Sequence, residues 1–91
     1  MAPVSLSDDQ IKALILNYLV RRRCWGAKYL PRQKLVRHLG YDVLGDGKEV
    51  SRCLDELLQS RWLNSYKKRK TIHLNVSHKR DIFDHLEKHN P

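Results

Sequence analysis

The spacing of apolar residues changes period partway along this chain, and that change decides which folds are open to it. Val50, Cys53, Leu54, Leu57 and Leu58 recur at the 3.6-residue period of a helix. Ile72, Leu74 and Val76 instead alternate with His73 and Asn75, at the two-residue period of a half-buried strand. A chain of 91 residues has room for one core. Helices and a hairpin must share it, so the expected fold class is α+β, mainly α, in a single domain over residues 1–91, with 1–6 and 89–91 flexible.

The remaining elements follow from caps and stops. Ser7 is a good N-cap, Asp8 and Asp9 put negative charge in the first turn, and Gln10 completes a capping box. Ile11, Leu14, Ile15, Tyr18 and Leu19 then recur at helical spacing, widened by Leu16 and Val20, and Gly26 is the expected stop. Ala27 to Leu30 reads as a short strand, with Pro31 in the first turn of a second helix through Leu35, Val36 and Leu39. Tyr41 to Gly47 reads as a connector, and Asp46 with Glu49 as a second capping box. The helix this box opens carries Lys48, Arg52, Asp55 and Gln59 opposite its apolar face, with Ser51 and Glu56 on the flanks. Trp62 to Tyr66 and Thr71 to Val76 are the arms of a hairpin with Lys67-Lys68-Arg69-Lys70 at its tip. Ser77 is expected to cap a last helix with Ile82, Phe83 and Leu86 facing inward.

Charge narrows the function. Ala13 to Tyr41 holds seven Lys/Arg and no acid, and Leu57 to Arg80 holds seven more, again without an acid. The net charge of +8 is therefore concentrated, the footprint of a polyanion partner, and nucleic acid is the natural one. No apolar run approaches a membrane span, and Met1 to Leu6 lacks the regions of a secretory signal, so an intracellular protein without a membrane partner is expected. Two cysteines, Cys24 and Cys53, fit that compartment better as free thiols than as a disulfide, and Cys53, on the apolar face of a helix, reads as a small buried hydrophobe. No phosphate-cradling Gly motif, Cys-x-x-Cys or His-Glu-x-x-His is present, so neither an enzyme nor a cofactor is expected. His85 and His89 stand four apart, but two nitrogen ligands without a third or fourth make a weak metal site.

The order helix, short strand, helix, turn, helix, basic hairpin resembles the winged helix-turn-helix superfamily. Glu49 to Leu63 is similar to that superfamily's recognition helix and strand entry, and Thr71 to Ser77 to its returning wing strand. Ser60-Arg61 stands where many members have Gly at the turn after the recognition helix. The resemblance implies a three-helix core with a short strand, a C-terminal β-hairpin wing and a final helix, binding double-stranded DNA as a small transcriptional regulator. Lys48, Ser51, Arg52, Asp55 and Gln59 would face the major groove. Tyr66, Lys67, Lys68, Arg69 and Lys70 would form the wing contact, and Arg32, Lys34 and Arg37 would meet the backbone. A homodimer on paired half-sites fits this reading, and no small-molecule ligand is expected. The alternative is a protein-binding or RNA-binding winged helix within a larger assembly. For single residues the plainer roles are salt bridges from Arg52 to Asp55 or Glu56, and dipole compensation by Arg21 to Arg23.

Overall fold

The computed structural model describes residues 7–26, 28–40, 47–66 and 70–89. Its first helix, α1 (Asp8–Arg21), opens on the capping box read from the sequence. The Ser7 hydroxyl accepts from the Gln10 amide at 3.2 Å, and the Gln10 side chain accepts from the Ser7 amide at 3.0 Å. Ile11, Ala13, Ile15, Leu16 and Leu19 are all buried, wider than one stripe, because α1 packs against every other α-helix and β3.

The chain leaves α1 through a left-handed turn. Arg23 has φ +55°, its amide bonds to Val20 O, and the Cys24 amide reaches back to Leu19 O at 3.1 Å. This is the Schellman arrangement, with arginine where glycine is usual. Strand β1 (Leu30–Pro31) follows. Pro31 thus belongs to the strand rather than to the helix, and α2 (Arg32–Gly40) begins one residue later than expected. A proline is tolerated there because β1 is a sheet edge.

Helix α3 (Lys48–Gln59) has Gly47 at its N-cap, with φ +86°. Asp46, the expected cap, lies outside the described residues. The Glu49 carboxylate, expected in the second capping box, is bound to Arg52. A Cβ at Gly47 would stand 3.4 Å from the Val36 side chain, so glycine serves both the left-handed backbone and the close approach of α2. The exit of α3 repeats that of α1: Arg61 has φ +66°, and the Trp62 amide bonds to Leu57 O. The turn that lacks glycine therefore keeps the glycine geometry.

Strands β2 (Leu63–Tyr66) and β3 (Thr71–Leu74) form the hairpin, and β1 pairs on the other side of β3, giving an antiparallel sheet of order β1-β3-β2. Ile72 faces Leu30 on one side and Ser65 on the other. The returning strand stops at Leu74 rather than Val76. Val76 starts a 3-10 turn and is 60% exposed. Asn75, not Ser77, caps that turn: its side chain accepts from the Ser77 amide and donates to Arg61 O at 2.7 Å. Helix α4 (Lys79–His89) buries Ile82 and part of Leu86, whereas Phe83 is 42% exposed against the Trp25 ring. His89, expected to be flexible, is the last residue of α4.

The architecture among the described residues is thus α+β and mainly helical, with four α-helices and a small three-stranded sheet. No described helix is long and apolar enough to cross a membrane. Cys24 and Cys53 are buried free thiols in the core.

The two left-handed arginines are a testable weakness. Each stands in a conformation that disfavours a Cβ. Arg61→Gly and Arg23→Gly are each expected to raise stability by about 0.5–1 kcal/mol after the entropy that glycine adds to the unfolded chain. Urea melts of the single and double variants check this.

Candidate nucleic-acid interface

Helix α3 presents Lys48, Arg52, Asp55 and Gln59 to solvent, with Ser51 and Glu56 half-buried on its flanks, as the helical wheel requires. The two flanks are tied to different helices. On one, the Arg52 guanidinium grips both oxygens of Asp8 in α1, at 2.6 and 3.0 Å, in a fork-to-fork pair. The same guanidinium meets Glu49, and Glu56 at 3.0 Å. Lys12 closes the seam on Glu56 at 3.3 Å. On the other flank, Arg32 of α2 reaches Asp55 at 2.7 Å and donates to the Ser51 hydroxyl at 3.1 Å.

Arg52 is therefore committed to three carboxylates. Its guanidinium positions α3 on α1, and the local field at mid-helix is acidic rather than basic. Asp55, expected to pair with Arg52 or to read a base, holds Arg32 instead. Among the described residues, Lys12, Arg32 and Arg52 are the Lys/Arg residues with carboxylate partners, and all three lie on these seams.

Lys34 and Arg37 on α2, Lys48 at the start of α3, and Lys70 at the wing are exposed and have no carboxylate partner among the described residues. Of these, Lys70 is tied directly to α2. The Arg32 amide bonds to Lys70 O at 2.9 Å, which fixes the wing base to the start of α2. The Thr71 hydroxyl donates to Tyr66 O at 3.1 Å and pins the other side of that base. A groove of about 730 Å³ runs between these parts, lined by Arg32, Gln33, Val36, Ser51 and Lys70. Tyr29 and Tyr66, 42% and 58% exposed, lie with ring centroids 5.9 Å apart beside it. Lys67, Lys68 and Arg69 lie outside the described residues.

Other cations are engaged differently. Arg22 stacks over the Tyr18 ring at 4.4 Å, and Lys79 lies 5.7 Å from the centre of Trp25. The Asp8–Arg52 pair was not legible because its partners are 44 residues apart. The only hint was the acid-rich first turn of α1.

The Arg52 hydrogen bonds hold the Asp8 carboxyl below its ordinary value of 3.8. A depressed carboxyl adds stability that is complete above the unfolded value and disappears as pH falls through the folded one. Stability is thus expected to decline below about pH 4 partly through Asp8. Asp8→Asn should flatten that acid limb, and Arg52→Ala should do the same while lowering the melting temperature at neutral pH. Thermal melts across pH check both. Comparison with known protein families, curated proteins and solved structures finds no match to this chain.

Proposed function

We propose that this chain is a winged-helix module that binds duplex DNA, with α2, the start of α3 and the wing forming the contact surface. The observation that carries the reading is how the charges are paired: Asp8, Glu49, Asp55 and Glu56 are taken up on the seams of α3, while Lys70 lines the groove between α2 and the wing and Lys34, Arg37 and Lys48 are exposed with no carboxylate partner among the described residues. Phosphates suit these cations, because each cation that meets one releases condensed counterions. The order of the elements, and a hairpin whose returning strand is central in the sheet, support the winged-helix reading.

In this reading Lys34, Arg37, Lys70 and the wing tip supply affinity. Sequence choice falls to Lys48, Ser51, Asp55 and Gln59 at the accessible face of α3. Arg52 acts as a positioning residue, and Arg32 orients Ser51 and Asp55 while its backbone anchors the wing. A small transcriptional regulator is the role that fits a module of this kind.

A second reading has one observation of its own. The exposed Tyr29–Tyr66 pair beside Lys70 offers faces on which unpaired bases can stack, as in single-strand and RNA binders. Mobility shifts against random duplex DNA, single-stranded DNA and RNA of equal length decide between them. Tightest binding to duplex, followed by recovery of a preferred site by selection, is the expected result. Tighter binding to either single strand, abolished by Tyr66→Ala, would replace the duplex reading with the second.

A further inference from the structure

We propose that Asp9, His85 and His89 form a binding site for a borderline divalent cation, with Zn²⁺ as its natural class. His85 and His89 lie one helical turn apart at the end of α4, with ring centroids 4.6 Å apart. Asp9 comes from the first turn of α1. One ligand atom from each of the three lies within 4.8 Å of the others. No hydrogen bond or ion pair joins these side chains to one another.

The main chain of α1 holds one nitrogen of the His85 ring. Its Nε2 stands 2.9 Å from the main-chain oxygen of Asp9. A carbonyl oxygen only accepts, so Nε2 donates there, and in the neutral ring Nδ1 is the nitrogen left to bind an ion. Metal-bound histidines are oriented in this way, with the second ring nitrogen donating to a carbonyl or carboxylate. Trp62 meets the His85 ring edge-on, at 5.5 Å and 80°, and limits its rotation. The sequence offers only the i, i+4 histidine pair; the fold adds the third ligand from the opposite end of the chain.

Two imidazoles and a carboxylate suit Zn²⁺ and its neighbours, and disfavour Mg²⁺ and Ca²⁺, which require mostly oxygen. Water would complete the coordination. The other convergent group, Asp8, Cys53 and Glu56, offers no such site. Arg52 holds both carboxylates, and burial pushes the Cys53 thiol up to about 11, so it stays protonated.

The bound ion would tie the start of α1 to the end of α4. Chelator-stripped protein titrated with Zn²⁺ is expected to take up one equivalent by calorimetry. At a hundredfold excess over Kd the melting temperature should rise by about 10 °C or more. His89→Ala and Asp9→Asn should each weaken uptake by about tenfold or more. Both positions lie at helix ends, so their folds are checked by circular dichroism. In a Trp25→Phe background, Cu²⁺ should quench the fluorescence of Trp62, and His89→Ala should abolish the quench. Absence of saturable Zn²⁺ uptake overturns the proposal. So does uptake unchanged by His89→Ala, which would place the ion at other histidines, or uptake unchanged by Asp9→Asn, which would reduce the site to a bare histidine pair.

Discussion

Replacing Lys34, Arg37 and Lys70 together by alanine is expected to lower affinity for random duplex DNA by roughly 10²–10³-fold at 0.1 M salt. Each phosphate contact contributes about 0.9 to the slope of log K against log salt concentration. Three lost contacts therefore reduce the slope by about 2.7, and the affinity deficit shrinks as salt approaches 1 M. All three residues are exposed and make no ion pair among the described residues, so stability should stay within about 0.5 kcal/mol of the wild type. The loss should be uniform across DNA sequences, because phosphates carry no sequence information. Fluorescence anisotropy at several salt concentrations measures both quantities. A triple variant with the full wild-type slope would mean that these cations face away from the DNA, and the proposed surface would be wrong.

The same charges illustrate how far a sequence can be read. The acid-free stretches identify where the basic residues cluster, since that does not depend on distant neighbours. They do not say which cations are already taken. Arg52 looks like a base reader on a helical wheel, yet its strongest partner, Asp8, is brought to it by the packing of α1 on α3. Local features were legible for the same reason: the Ser7 capping box and the Val50–Leu57 stripe depend on residues three or four apart. Element ends were less so. Val76 continues the alternation of β3, but the hydrogen bonds of Asn75 to Arg61 and Ser77 turn the chain before it. Phe83 has the composition of a core residue, but it packs on the outer side of Trp25. Glycine is the usual signature of the turns at Arg23 and Arg61, so a pattern built on glycine passes over both. The Asp9–His85–His89 grouping joins chain positions that no local pattern connects.

Ile72→Ala is expected to be the most damaging single substitution in the sheet, at about 2–5 kcal/mol. Ile72 has no exposed surface, and its strand is central, with β1 on one side and β2 on the other. Its side chain belongs to the cluster that includes Leu30, Leu63 and Leu74, so truncation opens a cavity where sheet and helices meet. Loss of a β-branched residue from a central strand adds to the effect. Domains of this size have total stabilities near the lower part of the 5–15 kcal/mol range, so the variant should lose roughly 10–30 °C in melting temperature. Val76→Ala, two residues beyond the strand and 60% exposed, should change stability by less than about 0.5 kcal/mol. Urea denaturation should show a lower midpoint at unchanged slope for Ile72→Ala. The DNA-binding readout separates this variant from the charge variant. Below its melting temperature, the folded fraction of Ile72→Ala keeps Lys34, Arg37 and Lys70 in place, so its salt slope remains that of the wild type while its active concentration falls. A reduced salt slope in a folded Ile72→Ala sample would instead show that β3 sets the wing's position through side-chain packing. In that case the backbone bond from Arg32 to Lys70 would not suffice to hold the wing.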